Sequence, residues 1–181
     1  MYESIALCEQ SKNRWGMGTA YSFLGEVYIA EGQYTEAKIQ LRKSLVIFSE
    51  YTTGWNIARS LTSLGHAARM AGEYTEARDH YLDAVRLSIE AEATPIAMDT
   101  LLGLGYLQEQ AGKAENALVL CYFVLNHPSS EVQTKDSAGQ LCVELEHRLS
   151  SNQVHGVRNQ AKGMTIESIL SVVLESTPAD E

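Results

Sequence analysis

Proline is scarce in this chain, three residues in 181. Long proline-free stretches leave few forced breaks and favour helix throughout. Cysteine is as scarce: Cys8, Cys121 and Cys142 are odd in number and fall in helical patterns. They read as small apolar core residues of a protein in a reducing compartment. No apolar run approaches the roughly 20 residues needed to span a bilayer, so no membrane is expected. The N-terminus also lacks the basic, apolar and small-residue zones of a signal peptide, which makes the cytoplasm the expected location. The five histidines are scattered and no Cys/His cluster has zinc-ligand spacing, so neither a metal nor a cofactor is expected. Basic residues are few: fourteen Lys and Arg stand against twenty-three acids, for a net charge of −9. Without a basic stripe, nucleic acid is excluded as a partner. The acidic balance suits a soluble surface, or one that attracts basic partners.

What remains is an ordinary globular composition, 45% hydrophobic and 20% charged. The length serves one well-buried domain or one continuous array. The second alternative is favoured by self-similarity. "GQYTEAK" at 32–38 returns as "GEYTEAR" at 72–78, and Leu24-Gly25, Leu64-Gly65 and Leu104-Gly105 precede equivalent places at the same step. Gly112 and Ala117 mark a third copy. A fixed period of this size is the mark of a solenoid whose units stack on one another.

Residues 18–57 serve as the first unit. Ala20, Tyr21, Leu24, Val27 and Tyr28 have the spacing of an amphipathic helix over Gly18–Glu31, which Gly32 ends by entering the left-handed region. A second helix starts at about Tyr34 and runs through Ala37, Leu41, Ser44, Leu45 and Phe48. Gly25, Gly65 and Gly105 on first helices, and Ala37, Ala77 and Ala117 on second helices, are expected where the two helices cross closely. The Gly-x-Tyr pattern is not a phosphate loop, since it lacks both the strand context and the lysine.

Leu-Gly, Gly seven residues later, Tyr two after that and Ala three further on resemble the tetratricopeptide repeat. The forty-residue period resembles the long variety of that repeat. Within it the chain is similar to the C-terminal arrays of large bacterial regulators that carry a signal-transduction ATPase module. The tail "KGMTIESILSVVL" is similar to the closing segment of those regulators. The resemblance implies an all-α fold, a right-handed α-solenoid of stacked antiparallel helix pairs with C-terminal capping helices. Its expected divisions are a half repeat at 1–17, repeats at 18–57, 58–97 and 98–127, and a helical cap and tail at 128–181.

Both ends carry expectations. Residues 1–11 align with the later second helices, Ile5 and Leu7 matching Leu45 and Ile47, so the chain starts in mid-repeat. Met1 is therefore expected to be an added or fortuitous start of a longer parent. The uncapped helix would expose Ile5 and Leu7, and a homodimer through it is a further expectation. At the other end "HPSSE" offers serines to cap a helix over 131–150. The polar stretch "SSNQVHG" then precedes a short helix ending at Lys162-Gly163, and Thr165 caps a last one.

No catalytic residue is expected. Cys8, Cys121 and Cys142 fall on inward positions, His66 and His80 stand alone, and His127 sits at a helix end. The first helices of a stacked array line its concave face, which holds peptides or partner helices. The facing positions are Thr19, Ser22, Glu26 and Ile29 in the first unit and Arg59, Thr62, His66 and Arg69 in the second. The third supplies Asp99, Leu102, Tyr106 and Glu109. This groove would be basic in the middle and acidic at one end, with Leu102 and Tyr106 as an apolar foothold. The function expected first is a non-enzymatic module that binds a protein or peptide there. The alternatives are a sensor or autoinhibitory segment of a larger ATPase-linked regulator, and a self-associating scaffold.

Overall fold

The computed structural model describes residues 2–51 and 54–175. The expectations for Met1 and for the tail at 176–181 lie outside them. The described residues form an all-α helical repeat: α1 (Tyr2–Gln10), α2 (Arg14–Ala30), α3 (Tyr34–Ser49), α4 (Gly54–Met70), α5 (Tyr74–Glu90), α6 (Thr94–Gln110), α7 (Ala114–Asn126), α8 (Val132–Arg148), α9 (Ser151–Lys162) and α10 (Ile166–Glu175). Two compact units divide the chain, Met1–Ala97 and Met98–Glu181.

The turns repeat more closely than the helices. A left-handed residue stands at Lys12, Gly32, Gly72, Glu92 and Gly112, positions separated by multiples of twenty. Each turn closes with the same two backbone bonds. Gly32 N–H donates to Ile29 O at 3.0 Å and Gln33 N–H to Tyr28 O at 2.8 Å. Glu92 and Ala93 do the same to Ile89 and Ser88 at 3.1 and 2.8 Å. This is the Schellman arrangement, which satisfies the last carbonyls of a helix. Three of these turns use glycine, and the turns at Lys12 and Glu92 have a side chain at positive φ.

In the first unit α1 packs on α2, α2 on α3, α3 on α4 and α4 on α5. The core joins neighbouring pairs: Leu41, Leu61, Leu64 and Ala84 form one cluster, with Ile29, Leu45, Ile57 and Leu87 against it. The first helices start earlier than the period suggests, at Arg14 and Gly54 rather than at 18 and 58. Asn13 gains α2 its extra turn by accepting from Gly16 N–H at 2.9 Å. Ile5 is also not exposed, because it is buried on Ala20 and Leu24, whereas Leu7 is 59% exposed.

The close crossings hold at two of the three glycines. A Cβ at Gly25 would lie 2.5 Å from Leu41 Cγ, and one at Gly65 2.5 Å from the Tyr81 ring. At Gly105 the nearest atom, Cys121 Sγ, stands at 3.6 Å, which is ordinary contact.

In the second unit α7 carries α8, α9 and α10. The Tyr122 hydroxyl donates to Glu146 of α8 and accepts from Arg158 of α9, whose guanidinium also reaches Glu146 at 3.1 Å. Ser129 and Ser130 do not cap α8, which starts from Glu131; the Ser130 hydroxyl donates to Val124 O at 2.6 Å instead. "SSNQVHG" is helical, because Ser150 and Gln153 make a reciprocal capping box that opens α9. Thr165 precedes α10, its hydroxyl accepting from Ser168 N–H at 3.3 Å.

Candidate functional site

The facing positions of α2 and α4 lie in the first unit. Thr19 is half-buried and its hydroxyl donates to Trp15 O at 3.2 Å. Glu26 and Arg59 meet in a two-pronged pair, Nε to Oε1 and Nη2 to Oε2, both at 3.1 Å. The same guanidinium lies over the Phe23 ring, 4.8 Å from its centroid. Fork-to-fork geometry and the aromatic face together fix the planar cation, which a lysine would not permit. Phe23 is 41% exposed, so a charged pair and an open ring share one patch.

His66 Nδ1 stands 2.7 Å from the hydroxyl of Tyr81, whose ring is fully buried behind Gly65. The imidazole thus satisfies a buried phenol, and His66 as a whole is half-buried. Arg69 is half-buried one turn further along α4. Two facing residues offer no surface: Ser22 and Thr62 are buried, and the Thr62 hydroxyl donates to Ala58 O at 2.9 Å. Ile29 turns toward the Leu41–Leu64 cluster.

The α6 positions lie in the second unit. Leu102 is buried, so the expected apolar foothold is reduced to the half-buried Tyr106. Asp99 is half-buried, and Glu109 pairs with Arg148 of α8. The expected acidic end is therefore partly neutralised by a helix without the repeat motif.

Sequence reasoning missed Phe23. The places forty and eighty residues on are Ser63 and Gly103, so the aromatic is particular to this copy. Comparing the letters that change between units was the available signal; fixed facing positions passed over it.

Contact with the Cys142 thiol, with burial added, pushes the Cys121 thiol far up and keeps it protonated. Among the described residues no group of three His, Cys, Asp or Glu is placed to hold a metal ion. No described helix is long and apolar enough to cross a membrane.

No curated protein and no solved structure matches the chain. Residues 16–90 match the family model described as tetratricopeptide repeat. Such repeats are generally protein-interaction modules and typically non-catalytic scaffolds. The match runs from the first turn of α2 to the end of α5, so it covers both helix pairs that carry the Phe23–Glu26–Arg59 patch.

Proposed function

We propose that this chain is a non-enzymatic interaction module that holds a peptide or partner helix on the face presented by its first helices. The observation that carries this reading is the Phe23–Glu26–Arg59 patch, in which an open ring and a half-exposed guanidinium are held ready across α2 and α4. A partner carboxylate would share Arg59 with Glu26, while an apolar side chain would cover Phe23. Aromatic and Arg anchors of this kind dominate binding energy at interfaces. His66 and Arg69 extend the surface along α4, and Thr19 is the position nearest the start of α2. The matching positions on α6 are Asp99, Tyr106 and Glu109. We read the forty-residue period as the long variety of the repeat, which the sixteen- and seventeen-residue lengths of α2–α5 support.

Affinity capture from the host's lysate tests this, comparing the unaltered chain with an Arg59→Ala, Phe23→Ala version of equal helicity. A protein retained by the first and lost by the second is the expected result. Equal retention by both would remove the patch from the function.

A further inference from the structure

The first unit carries a second surface that the concave face does not use. A groove of about 470 Å³ opens between α2 and α3, lined by Tyr21, Ile39, Arg42, Lys43, Val46 and Ile47. Ile39 is 46% and Val46 63% exposed. The fold does not ask for apolar residues there, since the same positions forty residues on are Asp79 and Arg86, and α5 forms an equivalent helix around them. Lys43 is likewise matched by Asp83. One second helix is thus apolar and basic where its sister is charged and solvated. Contiguous exposed apolar surface rimmed by polar groups marks an interaction site.

The geometry suits a helix. Ile39 and Val46 stand seven residues apart on α3, two turns or about 10 Å along its axis. A partner helix laid along α3 repeats its own anchors at that same interval, the i and i+7 pattern of helix-in-groove recognition. The rim sets its charge. The Lys43 ammonium lies over the Tyr21 ring at 5.2 Å, and Arg42 keeps a half-exposed guanidinium that touches Glu76 through one nitrogen. Two adjacent cations in a chain of net charge −9 form a local basic edge. A second copy docked about a two-fold axis would bring these edges onto each other, which costs free energy. We infer that the α3 groove docks an amphipathic helix of another protein, apolar on the face that meets Ile39 and Val46 and carrying Glu or Asp beside Arg42 and Lys43.

The probe is a labelled amphipathic peptide with Leu at i, i+3, i+4 and i+7 and Glu on both flanks, titrated with the full chain by fluorescence anisotropy. A matched peptide with Lys in place of Glu is the counterpart. The Glu peptide is expected to bind about tenfold or more tightly than the Lys peptide. Ile39→Asp together with Val46→Arg, the residues α5 already carries, is expected to weaken it about tenfold with an unchanged thermal melt. Arg59→Ala is expected to leave it unaltered, so a failure here is separate from a failure of the concave site. Three outcomes overturn the proposal: no charge preference, full binding to the double variant, or sedimentation showing that the double variant abolishes self-association instead, which would make the occupant a second copy.

Discussion

The crossing of α4 on α5 and the crossing of α6 on α7 use the same glycine and different neighbours. Gly65 faces the ring of a buried tyrosine at a distance no Cβ could share, whereas Gly105 faces the small thiol of Cys121 with room to spare. Gly25, against Leu41, belongs with the first kind. The repeated glycine is thus demanded by the bulk at 41 and 81, and the third copy retains it with no packing need. Helix interiors penalise glycine by about 1 kcal/mol against alanine, so the gain from a methyl group decides the sign where space allows.

The largest expected effect breaks this comparison directly. Gly65→Ala forces the Tyr81 ring and its His66 partner aside and is expected to lower stability by about 2 kcal/mol. Gly105→Ala is expected to be neutral or stabilising by up to about 1 kcal/mol. Urea unfolding followed by circular dichroism reads both. Placing Gly65→Ala in a Tyr81→Cys background copies the Gly105–Cys121 pairing, and there the alanine is expected to cost nothing. An undiminished cost in that background would show that the ring is not the obstacle.

A smaller effect sharpens the comparison between turns. Gly72 and Glu92 hold the same left-handed place with φ of 80° and 54°. A side chain in that region costs about 1 kcal/mol, so Gly72→Ala is expected to destabilise and Glu92→Gly to stabilise by roughly that amount. Hydrogen exchange at Glu73 and Ala93, whose amides close the two turns, locates the change. Equal protection in both variants would mean that the backbone bonds, rather than φ, set the turn.

The same pair of turns explains what the sequence made legible. Glycine announces the turns inside a helix pair, so α3 was placed correctly from Tyr34. Lys12 and Glu92 announce nothing, and so the period places the starts of α2 and α6 four residues late. Helical periodicity found the facing helices because one residue in three or four faces each way. It did not find which facing residues are open, since a facing place in the repeat does not fix exposure, and Ser22, Thr62 and Leu102 are buried. The Glu109–Arg148 pair was hidden for the same reason, thirty-nine residues separating its members. Ile39 and Val46 are visible as letters that differ from Asp79 and Arg86, but only the structure shows that both stay exposed.

The smallest effect concerns charge between the two matched second helices. Lys38 of α3, largely buried, reaches both Glu73 and Glu76 at the start of α5, while Arg42 and His80 also approach Glu76. Partial burial disfavours the Glu76 carboxylate, yet the hydrogen bond from Lys38, helped by His80, outweighs it and holds the group below its ordinary value of 4.5. A carboxylate depressed on folding contributes stability above its unfolded pKa and loses it as pH falls through the folded one. Stability is therefore expected to drop below about pH 4.5, and Lys38→Met to remove part of that drop, about 0.5–1 kcal/mol for a partly exposed pair. Unfolding free energies of the two chains, compared between about pH 6 and pH 3, should converge as the acid end is reached. Parallel curves would mean that the ammonium contributes packing of its stem alone, and that α3 and α5 are joined by apolar contact without help from charge.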